Sequence, residues 1–389
     1  MKINNFNCLS LFDGISACQQ AFKNLGIEFD GVNNQYFASE IDRYAIQVTQ
    51  KNFPNTIQLG DVKKINYNKK DKILYYESDE YCDESDTNYK YYCPETTTID
   101  LLCAGFPCQD LSCAKKDGKG LDGERSGLFY ELLKIIREVK PKHILIENVA
   151  SMKKEWKEKI SQELGFGFTE INSSLLTAQQ RKRVYWVASL QEDGTYKKVE
   201  IEQPQDKGVL LRDILESGET DKMKSYCIDA SYYKGINLEQ YLEKSKRQQV
   251  FEPVVYSPYN QTVNKEGKAY SLRTNPHCQT AVAGQLVLAP IRLGHLNKGG
   301  QGDRIYSVEG KSVSLSANGG GRGAKTGLYK IDLPDGEYSV RKLTVNECCR
   351  LQGFPDNFCD NVSKSQGYKA LGNSFTVPVI EHILSSIFF

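Results

Sequence analysis

Short apolar runs alternate with helical patterns through the first half of the chain. Cys8-Leu9-Ser10-Leu11-Phe12 predicts a strand and Ala17 to Leu25 a helix. Tyr36-Phe37-Ala38-Ser39 predicts a second strand, and Asp42 to Lys51 a second helix. Ile99 to Ala104 is a third strand. Leu128, Leu132, Ile135, Ile136 and Val139 then share one helical face, and His143-Ile144-Leu145-Ile146 follows as a buried strand. A late strand pair fits Ser173 to Leu176 and Val184 to Ala188. This alternation predicts an α/β fold, a mostly parallel sheet with helices on both faces. From Gln191 to about Gly336 the pattern weakens into polar, Gly-rich sequence, which predicts a separate irregular lobe; a stronger apolar pattern returns from Arg341 to Phe389. Tyr75 to Pro94 is acidic and tyrosine-rich with no period, so it reads as an exposed loop or insertion.

Composition narrows this picture only slightly. The 389 residues exceed one typical core, in keeping with two lobes. Net charge is +1, which neither favours nor excludes a nucleic-acid partner, because binding needs a local basic face. Such a face is available: Phe251 to Lys330 carries ten basic and four acidic residues. Within it Glu266 to Leu272 and Glu309 to Leu315 are similar phrases that suggest paired hairpins. The chain has no long apolar run to span a membrane, and residues 1–7 lack the apolar core of a signal peptide. Twelve scattered cysteines include no Cys-x2-Cys pair, and His143, His277, His295 and His382 lie far apart, so no metal is expected.

The candidate chemistry gathers at predicted strand ends. Phe12-Asp13-Gly14-Ile15-Ser16 joins the first strand to the first helix, where glycine lets a ligand approach the backbone. Glu40 ends the second strand and would accept from ribose hydroxyls; Asp61, in Gly60-Asp61-Val62, would accept from an adenine amino group. A glycine turn followed by two strand-end acids favours an adenosine-containing cofactor. The absence of a Gly-x4-Gly-Lys-Ser/Thr loop weighs against ATP. Cys108 follows Pro107 just after a buried strand, at the sheet's carboxyl edge. A thiol titrates near ~8.5 and needs help to act as a nucleophile. Glu147 caps the strand at Ile146, and Arg181 and Arg183, two positions apart, share a face if extended.

Together these segments resemble the C5-cytosine DNA methyltransferase family over nearly the whole chain. The matches, in family order, are Phe12-Asp13-Gly14, Glu40, Gly60-Asp61-Val62 and Gly105-Phe106-Pro107-Cys108-Gln109. Glu147-Asn148-Val149 and Gln179-Gln180-Arg181-Lys182-Arg183-Val184-Tyr185 come next. Arg341-Lys342-Leu343-Thr344 through Leu351-Gln352-Gly353-Phe354-Pro355 and Gly372-Asn373-Ser374 close the series.

The resemblance implies a Rossmann-like methyltransferase sheet from residues 1–190 plus 365–389, a β-rich target-recognition lobe over 191–340 and a connecting hinge at 341–364. It implies methyl transfer from S-adenosylmethionine to C5 of a cytosine flipped out of double-stranded DNA. The catalytic residues would be Cys108, adding to C6, Glu147 on the N3 edge, and Arg183 with Arg181 stabilising thiolate and base carbonyl. Phe12, Gly14, Glu40, Ile41, Asp61, Val62, Pro107, Leu128, Asn373 and Phe375 would meet the cofactor. Residues 298–307 and 314–321 are similar to the recognition lobe of small bacterial and phage enzymes. That likeness assigns Gln301 to the gap left by the base, Arg304 to a base or phosphate and Ser314 to a phosphate. A short GC-containing palindrome is the expected target. The resemblance further implies a cytoplasmic monomer in a bacterial or phage-infected cell, and leaves room for a cognate restriction endonuclease acting separately.

One departure concerns Ser16, where the family commonly has a second glycine; serine is tolerable there if its φ is negative. The Tyr75 to Pro94 stretch is a second departure. Two other functions stay open on this reading, a tRNA C5-cytosine methyltransferase and a catalytically silent DNA-binding paralogue.

Overall fold

The computed structural model describes residues 5–68, 73–77, 89–91, 98–107, 127–235, 241, 246–253, 255–256, 263–264, 292–295, 304–306 and 338–389. The strands run β1 (Asn7–Leu11), β2 (Gln35–Ser39), β3 (Ile57–Gln58), β4 (Ile65–Asn68), β5 (Ile73–Glu77), β6 (Tyr89–Tyr91), β7 (Leu101–Ala104) and β8 (His143–Val149). They continue with β9 (Thr169–Asn172), β10 (Lys182–Leu190), β11 (Tyr196–Lys198), β12 (Gln249–Pro253), β13 (Val255–Tyr256), β14 (Val263–Asn264), β15 (Arg292–His295), β16 (Arg304–Tyr306) and β17 (Tyr338–Lys342). Helices among the described residues include α1 (Ala17–Asn24), α2 (Arg43–Asn52), α3 (Leu128–Val139), α4 (Lys154–Leu164), α5 (Val345–Gln352), α6 (Lys364–Asn373) and α7 (Val377–Phe388).

The main sheet has the order β11-β10-β8-β7-β1-β2-β3, with β9 also paired to β10. Its β3-β2-β1-β7-β8 portion is parallel, and β10 joins β8 antiparallel. The chain winds outward from β1 in both directions, which opens a crevice at the carboxyl ends of β1 and β7.

Two apolar layers cover the faces. Cys8 points into one and Leu9 and Leu11 into the other, the alternation a two-residue strand repeat demands. α3 buries Phe129, Leu132, Leu133, Ile135, Ile136 and Val139 on the second face. On the first, α7 packs against α1, with the Phe388 and Phe6 rings 5.5 Å apart. α5 starts at a capping box: Thr344 Oγ1 accepts from the Glu347 amide and Glu347 from the Thr344 amide, which satisfies two helix-start donors.

Three predicted elements differ. Tyr75 to Pro94 is not simply a loop: β5 and β6 lie within or across its span and pair antiparallel with Tyr75 opposite Tyr91, in a three-stranded sheet with β4. Aromatic residues favour pleated strands, which the acidic composition obscured. Residues 78–88 and 92–94 lie outside the described residues. Ser173–Leu175 is a 3-10 turn rather than a strand, because the Asn172 side chain accepts from the Ser174 amide; β10 pairs instead with β9. Glu147, Asn148 and Val149 continue β8 rather than cap it, held by pairing to β10. The similar phrases at 266–272 and 309–315 fall outside the described residues.

Candidate active site

The turn after β1 carries three left-handed residues, Phe12 (φ 57°), Gly14 (φ 63°) and Ser16 (φ 57°). Open space surrounds the position a Gly14 side chain would take. Glu40, just beyond β2, binds the turn: its Oε2 accepts from the Gly14 amide at 2.8 Å, and its Oε1 from the Ile41 and Asp42 amides at 2.7 and 2.8 Å. Ile41 is 75% exposed beside this carboxylate, an apolar surface open to solvent. Asp61 caps a 3-10 turn at Val62–Lys64 by accepting from the Lys63 amide. Val62 is buried beneath it and Leu128 is half-buried at the start of α3.

Serine at position 16 is tolerable without support only at negative φ, and that condition is not met. Ser16 is buried, and its hydroxyl donates to Asp13 Oδ2 and lies 3.2 Å from Thr49 Oγ1. These bonds offset the roughly 1–2 kcal/mol that a left-handed non-glycine residue costs. Tyr36 donates to the other Asp13 oxygen at 2.8 Å. Burial pushes the Asp13 carboxyl up to about 6, against the bonds from Ser10, Ser16 and Tyr36.

The C-terminal segment closes the same crevice. A Cβ on Gly105 would come within 2.6 Å of the Phe375 ring, so any larger residue there would have to displace that ring. A Cβ on Gly372 would meet the Asp229 carbonyl carbon at 2.2 Å. Asn373 is exposed at the end of α6. Cys108 lies outside the described residues, and Pro107, half-buried, is the last described residue before it. The backbone leading to it is anchored: buried Asn148 donates to the Phe106 carbonyl at 3.1 Å.

At the β8–β10 corner Arg183 Nε meets Glu147 Oε1 at 2.9 Å, with both side chains largely covered. Burial raises the Glu147 carboxyl above its usual range, against the pull of Arg183 and Arg181. Burial works against the Arg183 charge too, but Glu147, Cys227 and Tyr185 together outweigh it and hold the group above the ordinary arginine range. The corner therefore holds a carboxyl with raised proton affinity beside a fixed cation, a pair able to hand a proton to a base while stabilising negative charge.

Arg181 is spent differently. It is 4% exposed and donates to the carbonyls of Ile228 at 2.9 Å, Gly372 at 3.1 Å and Ser374 at 2.8 Å. The predicted shared face holds in one respect: both guanidinia reach Cys227 Sγ, at 3.4 and 3.9 Å. Sequence reading missed Cys227, which sits in a stretch of weak pattern, and missed Asp13, Asn148 and Gly372 as structural partners. Arg304 lies in β16, whereas Gln301 and Ser314 fall outside the described residues. Among the described residues no group of His, Cys, Asp and Glu could hold a metal, and no helix is long and apolar enough to cross a membrane.

The family model for C-5 cytosine-specific DNA methylase matches residues 6–388. The chain belongs to this family. Among curated relatives, this methylase is 28% identical to type II methyltransferase M.HhaI of Haemophilus parahaemolyticus, over 99% of this chain and 95% of that one. It is also 28% identical to the orphan methyltransferase M.SPBetaI of Bacillus phage SPbeta, over 99% and 98% of the two chains. In fold the methylase is similar to the Entamoeba histolytica methyltransferase EhMeth (TM-score 0.54, 17% identity, covering 99% and 98% of the two chains). It is likewise similar to a putative DNA modification methyltransferase encoded within an Escherichia coli prophage (TM-score 0.52, 16% identity, 98% of each chain).

Proposed function

We propose that this methylase modifies C5 of a cytosine flipped out of a short sequence in double-stranded DNA, with Cys108 as nucleophile and S-adenosylmethionine as methyl donor. The observation that carries this reading is the Glu147–Arg183 pair at the carboxyl edge, joined through Asn148 to the backbone two residues before Cys108. Flipping is required because the ring atoms at issue are inaccessible inside the duplex.

The Cys108 sulfur forms a bond to C6, and the displaced electron pair moves into the ring toward N3 and the carbonyl. Glu147 holds the N3 edge and supplies its proton, while Arg183 faces the charge on the carbonyl. With C5 methylated, the C5 proton passes to solvent, its electron pair re-forms the C5–C6 double bond as the C6–S bond breaks, Cys108 leaves as a thiolate, and the N3 proton returns to Glu147. Arg181 acts by holding the Gly372–Ser374 segment rather than by touching the base.

The residues of the crevice fit an adenosine-bearing cofactor, with a strand-end carboxylate, an exposed Ile41 and open space at Gly14. Phe12, Gly14, Glu40, Ile41, Asp61, Val62, Pro107, Leu128, Asn373 and Phe375 would hold it. When bound it supplies an electrophilic sulfonium methyl group. Residues 1–190 with 365–389 would form the catalytic domain and 191–340 the recognition lobe, with 341–364 as the hinge. Gln301, Arg304 and Ser314 would contact DNA. The protein would act as a cytoplasmic monomer, with any cognate endonuclease separate from it.

Transfer of labelled methyl groups to duplex DNA and to tRNA tests the substrate; label on tRNA alone overturns the DNA reading. Cys108→Ser is expected to abolish turnover while DNA binding persists, and normal turnover would refute the nucleophile. Bisulfite sequencing of DNA from expressing cells reads the target, expected as a short GC-containing palindrome.

A further inference from the structure

We propose that Asp13 is a positioning residue for the cofactor: through its carboxylate it holds Ser16 in a left-handed conformation, and thereby sets the Gly14 turn. The inference rests on the reading that this turn binds S-adenosylmethionine.

Ser16 occupies the position before α1 where a serine ordinarily turns its hydroxyl onto an amide of the first helical turn. Here it does not. Its φ is 57° and its side chain makes no capping bond. The hydroxyl instead donates to Asp13 Oδ2 and lies against Thr49 Oγ1 of α2, with the residue fully buried. Its amide donates to the Asp13 carbonyl at 3.2 Å, so side chain and main chain of Asp13 grip the same residue.

Asp13 is itself fixed from β2. Its amide donates to the Ser39 carbonyl at 3.0 Å, and its Oδ1 accepts from Tyr36 at 2.8 Å. The network thus ties three elements around the turn. Gly14 lies between its two ends, bonded through its amide to Glu40. A side chain held at positive φ by a specific hydrogen-bond partner behaves as glycine would in that place, provided the partner stays. Removing the partner leaves Ser16 free to relax to negative φ, which rotates the Gly14–Ser16 peptides away from Glu40.

The test is a double-mutant cycle read by calorimetric S-adenosylmethionine binding, with melting temperature followed in parallel. Asp13→Ala is expected to weaken binding tenfold or more in the wild-type background. In the Ser16→Gly background the same substitution is expected to cost less than threefold, because glycine adopts positive φ unaided. Tyr36→Phe should show a smaller loss in the wild-type background, with the same dependence on residue 16. A role in packing alone would weaken binding equally in both backgrounds, and that result overturns the proposal. So does an Asp13→Ala protein that binds as tightly as wild type. If Asp13→Ala does not fold, Ser16→Ala and Ser16→Gly, compared with Asp13 intact, decide the matter. Weaker binding by the alanine variant than by the glycine variant supports the proposal, and equal binding overturns it. Failure of the wild-type protein itself to bind S-adenosylmethionine would instead remove the reading on which the proposal rests.

Discussion

The two ends of the sheet's carboxyl edge employ a carboxylate in opposite ways. At the glycine turn, Glu40 is bonded to three main-chain amides, those of Gly14, Ile41 and Asp42. At the β8–β10 corner, Glu147 is bonded to the Arg183 guanidinium, and burial raises its proton affinity. The first arrangement shapes backbone; the second holds a charge that, on the proposed mechanism, would respond to an incoming base. Arg181 and Arg183 repeat the contrast two residues apart, one given to carbonyls and the other to a carboxylate. On the proposed roles, binding and chemistry should therefore be separable by mutation, although they share one edge.

The largest effect should come from the chemical end. Glu147→Gln is expected to lower kcat by about 10²–10⁴, the usual worth of a positioned proton donor, with cofactor affinity within threefold of wild type. Equal losses in kinetics and in calorimetric binding would break the contrast. Arg181→Ala should follow, at about 3 kcal/mol of stability, since it strands three buried carbonyls at roughly 1 kcal/mol each. Thermal melting checks it; an unchanged Tm with reduced kcat would move Arg181 to the chemical side.

Asp13 sharpens the comparison through pH. Its folded-state value of about 6 lies above the ordinary value near ~3.9, so its proton is bound more tightly in the folded protein. The stability it contributes is present below about pH 4 and is lost as pH rises through about 6, roughly 2–3 kcal/mol in all. Denaturant unfolding of Asp13→Asn against wild type across that window should show the difference, and parallel curves would contradict it. The smallest effect is expected from Glu40→Gln. A weakened charge-assisted bond should raise the S-adenosylmethionine Kd roughly tenfold and leave kcat at saturation near wild type.

The sheet and both ends of the site were legible because each is announced locally. Apolar runs mark β1, β7 and β8, and Gly14, Glu40, Glu147 and Arg183 sit at or next to strand ends. What escaped notice depends on partners distant in sequence. Asp13 is completed by Tyr36, Arg181 by Ile228, Gly372 and Ser374, and Gly105 by Phe375. A repeat of two or 3.6 residues reports which face is buried, not which carbonyl a buried guanidinium will meet. The conformation of Ser16 was hidden for a related reason. Its φ is set by a neighbour's carboxylate, whereas intrinsic preference alone argues for the opposite sign.

The return of the last segment to the crevice also orders events in time. Gly372, Ser374 and Phe375 complete Arg181 and Gly105, yet they follow Arg181 by 191 residues or more in the chain. A nascent chain that has emerged through Arg183 thus carries the proposed reactive groups well before the residues that close the crevice. Synthesis itself sets a delay between the arrival of Arg181 and the arrival of the residues that complete it.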